Sequence, residues 1–240
     1  MSANSAESAR SRLVFPLDYA SLAEAREGAA RVNGAVGVLK VGLELFVREG
    51  PAAVQLAAEL GCKVFLDLKL LDIPETVSRA VASACRLGVD YLTIHASGGP
   101  RVLEAAQTSA ERENTGLRLL AVTVLTSSDH EDLAAAGVTD PPAAQVLRLA
   151  RLAKNAGVPG LVCSALELAQ LRAEFGKDLL LVTPGIRPGG AASGDQKRTA
   201  TPAAAIQAGA DLLVVGRPIR DSADPYAAAQ AIVREIESVQ

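Results

Sequence analysis

Tryptophan is absent from the 240 residues, and four Phe and three Tyr bring the aromatic share to only 3%. Few rings are available for bases to stack on, and a net charge of −3 supplies no basic surface, so composition argues against a nucleic-acid partner. Small ligands remain. Histidine is nearly absent as well. With only His95 and His130 present, a histidine-rich metal site is excluded. The three cysteines, Cys62, Cys85 and Cys163, are widely spaced and odd in number, which fits neither a metal motif nor a disulfide framework. Buried thiols in a reducing cytoplasm are expected. No apolar run reaches membrane-spanning length, and Met1 to Arg10 lacks the apolar core of a signal peptide, so residues 1–10 are expected to form a frayed tail. No low-complexity linker or shift in composition divides the remainder, and residues 11–240 read as one domain.

What the chain does have is hydrophobic residue, 49% of the total, in a repeating order. From Leu13 onward, short apolar strand-like runs alternate with Ala-rich helical stretches for about eight rounds. The predicted strands are Leu13 to Asp18, Gly37 to Gly42, Lys63 to Lys69, Tyr91 to Ala96, Arg118 to Leu125, Gly160 to Ser164, Leu179 to Thr183 and Leu212 to Gly216. Helices are expected between them. Ser21, with Glu24 three residues later, is placed to cap the first, and Gly34, Gly61, Gly88, Gly157, Gly176 and Gly209 sit where helices should stop. The expected fold is a (β/α)8 TIM barrel of the α/β class in a single domain, with an open doubly wound sheet as the alternative.

One stretch breaks the apolar rule. Phe65 to Val77, FLDLKLLDIPETV, carries Asp67, Lys69 and Asp72 along a strand and its exit. Alternation puts Asp67 and Lys69 on one face, while Leu66, Leu68 and Leu70 take the other. Asp72 has the wrong parity for that face and belongs to the turn, where Pro74 suits the first turn of a following helix. A structural salt bridge is one reading of an Asp–Lys pair. A third charge favours chemistry, because two carboxylates around one ammonium would each favour its protonated form by roughly 4 kcal/mol before desolvation. Such a lysine can protonate a carbanion.

On a barrel, functional groups gather where the strands end. Asp18 ends the first predicted strand, Lys40 interrupts the second, the fifth leads into Thr126 and Ser127, and the eighth into Gly216-Arg217. Each has a simpler alternative: Asp18, Thr126 or Ser127 could cap a helix, and Lys40 could merely pair with an aspartate. His95, before Gly98-Gly99, reads as a packing residue rather than a catalytic one, and His130 is assigned no role. Pro184 to Arg198, PGIRPGGAASGDQKR, is too long for an ordinary connection and suits a lid. Its Arg187 and Gln196, with Gly216 and Arg217, occupy the usual barrel phosphate site.

From Leu13 to about Ala229, the chain resembles the orotidine 5′-phosphate decarboxylase family. DLKLLDIPETV is similar to its signature, accompanied in order by FPLD, LKVGLEL, IHASGG, VTVLTS, TPGIRP, GDQKR and VVGRPI. Pro16, where a small residue is more usual, and Glu75, where Asn is common, depart from the pattern. The resemblance implies a homodimeric barrel, without cofactor or metal, that converts orotidine 5′-phosphate to UMP in pyrimidine biosynthesis. It implies that Asp18 and Lys40 bind ribose and join a charged network, and that Asp67 sits beside the substrate carboxylate. Lys69 would protonate carbon 6. Asp72, with Ile73 and Thr76 beside it, would reach the partner's site. Thr126 would recognise the pyrimidine, Arg187, Gln196, Gly216 and Arg217 would hold the phosphate, and Pro184 would sit at the base of the lid. Two rival readings are a Mg2+-dependent sugar-phosphate lyase on the same barrel and a non-catalytic nucleotide-binding barrel.

Overall fold

The computed structural model describes residues 3–189 and 199–239, with side-chain surroundings from residue 7 onward. Eight parallel strands close into a barrel in sequence order: β1 (Leu13–Pro16), β2 (Val38–Gly42), β3 (Lys63–Leu70), β4 (Tyr91–His95), β5 (Arg118–Val122), β6 (Gly160–Val162), β7 (Leu180–Thr183) and β8 (Leu212–Val214). Closure follows from β1 pairing β8 through Leu13↔Leu213 and Val14↔Val214. The open-sheet alternative is thereby set aside. Every predicted strand is present, several ending one to three residues earlier than alternation suggests.

Register stacks the interior in layers. Val14, Val38, Phe65, Tyr91, Leu120, Val182 and Leu212 form one buried apolar cluster, with Phe65 and Tyr91 in edge-to-face contact at 6.1 Å. Two residues further along their strands, the same inward parity belongs to Pro16, Lys40, Asp67 and Thr93. The apolar layer thus forms a dry floor directly beneath charged groups. The outward side chains, among them Phe15, Leu39, Leu66, Leu92 and Ile94, enter the larger core shared with the helices.

Helix ends follow local chemistry. Ser21 caps Leu22–Ala30 by accepting the Glu24 N–H at 3.2 Å. Ile73 is extended (ψ 153°), and Pro74 opens the helix Pro74–Arg86. Neither Thr126 nor Ser127 caps the helix His130–Ala135. Asp129 does, in a reciprocal capping box with Asp132. Where a frayed tail is expected, residues Ala3–Arg10 form a helix. Its Ala9 is fully buried, and the helix packs against the C-terminal helix Pro225–Glu237. A short Ala-rich segment needs no large apolar residue to dock in this way. Among the described residues, no helix is long and apolar enough to cross a membrane.

At the end of the barrel where the strands begin, Arg172 clamps β7 to β8. Its guanidinium donates to the carbonyls of Gly209 (2.8 Å), Gly176 (2.8 Å) and Leu179 (2.9 Å) and to Asp211 Oδ2 (2.6 Å), which also accepts the Leu181 N–H. Asp211 is partly solvated, so screening trims the ion-pair share, and the carbonyl bonds carry most of the effect. Arg172→Ala should lower stability by about 2 kcal/mol, a fall of about 4–8 °C in Tm. Thermal unfolding followed by circular dichroism checks this, and a shift below about 1 °C would show the clamp to be dispensable.

Candidate active site

The charged layer opens into a cavity of about 270 Å³ at the ends of the strands. Asp18, Lys40, Asp67, Lys69, Thr126, Pro184, Arg187, Gly216 and Arg217 all line it, so the structure brings together most of the residues singled out in the sequence. Pro16, Phe65, Val122, Val124, Leu125, Val162, Val182, Gly185 and Val214 complete the wall.

Along one side, opposite charges alternate. Lys40 Nζ lies 3.4 Å from both Asp18 Oδ1 and Asp67 Oδ2, and Lys69 Nζ donates to Asp67 Oδ1 at 2.8 Å. The Asp67 side chain is only 13% exposed, whereas that of Asp18 is 51% exposed and faces the opening. Within one chain, therefore, the Asp67 carboxylate sits between two ammoniums, and the lysine with two carboxylates around it is Lys40 rather than Lys69. Burial alone would raise the Asp67 pKa. The Lys40 and Lys69 charges, with hydrogen bonds from Lys69 and Thr93, outweigh it and hold the carboxyl below the usual carboxylate range. His95 ends β4 outside the cavity lining. Its burial, reinforced by the Lys69 charge, keeps the imidazole below its ordinary value and so neutral at pH 7.

The backbone around Asp67 is not a regular strand. Leu66 pairs Leu92 and Leu70 pairs Ile94, so three residues of β3 face the single Thr93 of β4. Lys69 takes up the excess at φ 50°, in the left-handed region that a non-glycine residue occupies at a cost of about 1–2 kcal/mol. Asp67 and Lys69 still converge, as strand parity suggests, but they do so across a bulge. Thr93 was not legible as a site residue. Its one signal is being the sole aliphatic hydroxyl in the run YLTIH.

Two glycines leave room for this arrangement. A Cβ at Gly42 would lie 2.9 Å from Lys40 Nζ, and one at Gly216 would lie 2.9 Å from Pro16 Cγ. Pro16 therefore replaces a small residue without disturbing the layer, pairing with Lys40 in the β1–β2 ladder. Glu75 sits in the first turn of its helix and pairs with Arg79 at 2.7 Å, where an acid suits the helix dipole.

Arg187 and Arg217, which follow β7 and β8, line the same cavity. An isolated bridge between Ile186 and Ala200, with Arg187 N–H donating to Ala200 O at 2.9 Å, ties together the two ends of the long loop. Gln196 and the rest of GDQKR lie outside the described residues. Asp72, Ile73 and Thr76 do not reach this cavity. Asp72 accepts the Ile73 N–H at 2.6 Å, and together they line a separate depression with Leu71, Pro74, Gly98, Arg101 and Val102. Leu71 and Ile73 are 56% and 65% exposed there, and Thr76 is exposed on the helix that follows. Among the described residues, no group of three or more His, Cys, Asp or Glu side chains is arranged to hold a metal ion.

A fixed ammonium on a cavity wall, with its charge held by a buried carboxylate, can stabilise a developing anion and give it a proton. Residues 11–232 match the family described as Orotidine 5′-phosphate decarboxylase / HUMPS. The chain is 56% identical over 221 residues to an orotidine 5′-phosphate decarboxylase of Anaeromyxobacter sp. (strain K), covering 92% of this chain and 96% of the relative. It is 48% identical over 233 residues to one from Trichlorobacter lovleyi, covering 96% and 97%. A crystal structure of orotidine 5′-phosphate decarboxylase from Lactobacillus acidophilus superposes with a TM-score of 0.82 at 36% identity, covering 93% of this chain and 98% of that one.

Lys40 is the largest of the charges opposing burial at Asp67, so Lys40→Met should raise the Asp67 pKa. In the wild type, the depressed pKa contributes stability that is present above the ordinary value of 3.8 and lost as pH falls through the folded value. The variant should lose part of that contribution. A carbon-13 titration of the Asp67 carboxyl reads the shift directly, and an unmoved midpoint would contradict the assignment.

Proposed function

The chain belongs to the orotidine 5′-phosphate decarboxylase / HUMPS family, and from that premise we propose how its residues decarboxylate orotidine 5′-phosphate to UMP. The observation that carries the proposal is Asp67 held between Lys40 and Lys69 on the wall of a cavity that Arg187 and Arg217 also line. Carbon 6 of the pyrimidine has no adjacent carbonyl to accept charge. When its bond to the carboxylate breaks, carbon dioxide leaves and the electron pair stays on carbon 6. The Lys69 ammonium interacts more strongly with that carbanion than with the ground state, which is the differential binding catalysis requires. It then passes its proton to carbon 6, becomes a neutral amine and regains a proton from water. Asp67 holds Lys69 in position and faces the substrate carboxylate.

Arg187, Gly216 and Arg217, with Gln196, grip the phosphate, and Pro184 begins the loop that closes over it. Because the phosphate is remote from the breaking bond, its binding energy is available for ordering the charged row. Asp18 and Lys40 receive the ribose hydroxyls, and Thr126 receives the pyrimidine edge. A Mg2+-dependent lyase is less well supported, because both oxygens of Asp67 already face ammonium groups.

The functional unit in this proposal is a homodimer in the cytoplasm. Leu43 and Val47, on the helix Leu43–Glu49 after β2, and Leu71 and Ile73, on the loop after β3, expose 50%, 79%, 56% and 65% of their surface. Large apolar residues exposed around Asp72 suit a face covered by a second copy. Asp72 would then enter the partner's cavity, with Ile73 and Thr76 at the seam. There it would add a second carboxylate beside Lys69, turning a row of two acids and two ammoniums into one with a net negative charge. The free cysteines Cys62, Cys85 and Cys163 agree with a reducing compartment.

Purified protein given orotidine 5′-phosphate in EDTA should change its ultraviolet absorbance to that of UMP. Lys69→Ala should lower kcat by about 10³-fold or more. Undiminished turnover by Lys69→Ala would remove it as proton donor. The shared site has its own test. Mixing equal amounts of inactive Lys69→Ala and Asp72→Ala chains should restore about a quarter of wild-type activity, since about half the dimers are hybrids with one intact site each. No recovery at any mixing ratio would refute Asp72's role across the interface.

A further inference from the structure

We infer that Thr93 is a positioning residue for the decarboxylation, its single hydroxyl setting both the backbone turn that aims Lys69 and the orientation of Asp67. The inference rests on the proposed roles of Lys69 and Asp67. Thr93 lies inside the barrel on β4 and is fully buried. Its Oγ1 accepts the Lys69 backbone N–H at 2.8 Å and donates to Asp67 Oδ1 at 2.9 Å, the same oxygen that receives Lys69 Nζ.

The geometry explains why one hydroxyl serves both residues. The bulge between Leu66 and Leu70 removes the Lys69 N–H from the regular β3–β4 ladder. A backbone donor beside a dry barrel interior needs an acceptor, and the left-handed φ of 50° at Lys69 persists only if its surroundings hold it. The Thr93 oxygen is that acceptor. Having accepted, the hydroxyl has one hydrogen left to donate, and it points at the buried carboxylate. Asp67 therefore has one oxygen bonded by Lys69 and Thr93 while the other faces Lys40. Other charged or titratable groups near this carboxylate are Asp18, beyond Lys40, and His95, at the end of β4. The hydroxyl thus ties an ammonium on one side of a bulge to a carboxylate on the other.

Thr93→Val keeps the shape and removes the hydroxyl. Its kcat for orotidine 5′-phosphate should fall about 10- to 100-fold, with KM within about threefold of wild type, since the phosphate grip is untouched. The acid limb of the kcat profile should move to higher pH, because Asp67 loses a donor that favours its charged form. A loss of packing alone would leave that limb in place. Thr93→Ser, which keeps the hydroxyl, should stay within about threefold of wild type. A loss of less than about fivefold in the valine variant, or an unmoved acid limb, would overturn the inference. Should valine block folding, a loss of about tenfold or more in the serine variant would overturn it, and near-normal turnover would support it. Lys69→Ala assayed in parallel separates the two failures. If it remains active, the proposed mechanism fails; if it is inactive while Thr93→Val is normal, only the role of Thr93 does.

Discussion

The carboxylate of Asp67 is the constraint from which the rest of the site follows. A buried negative charge is costly in an apolar surround, and this one sits on a floor of valine, leucine, phenylalanine and tyrosine side chains. It remains ionised because β2 supplies Lys40, β3 supplies Lys69 and β4 supplies a hydroxyl, all converging on two oxygens. Any one strand alone would leave the carboxylate short of partners. A closed parallel barrel brings three neighbouring strand ends to the same height, and that is what the fold contributes here.

The division of the cavity follows from the same geometry. The alternating row of acids and ammoniums occupies the side of β1 to β3, while the arginines follow β7 and β8. Val122 on β5 and Val162 on β6 line the wall between β4 and β7 and offer no competing hydrogen bonds. In the proposed function, a nucleotide in this cavity meets fixed charge at its base and at its phosphate. The field at the reacting carbon is set before the substrate arrives, so little reorganisation accompanies the chemistry.

Much of this was legible in the chain. Alternating apolar runs gave the eight strands, and the charges interrupting them gave Asp67, Lys69 and Lys40. What could not be read were contacts between strands. Thr93 is an ordinary residue for a strand, and only its register against β3 reveals that it bonds both Asp67 and Lys69. A lysine at positive φ has no local signature, because left-handed turns are anticipated at glycine or asparagine. Asp72 was separated from the strand face by parity, and it lines a depression apart from the charged row. The N-terminal helix escaped for a different reason: it packs on the last helix with the small Ala9 buried, not through an apolar pattern of its own.

Gly42 ties two positions of the chain to one another. Nothing in its backbone demands glycine, since φ is −91°, yet a methyl group there would crowd the Lys40 ammonium at 2.9 Å. A side chain at residue 42 would push the Lys40 ammonium from its place between Asp18 and Asp67. A descendant of this barrel that replaced Lys40 with a shorter side chain would be released from that glycine, and the two positions would drift together. The glycine in LKVG records where a lysine must lie, so the pair can serve as a marker of whether a barrel of this shape still keeps its row of charges.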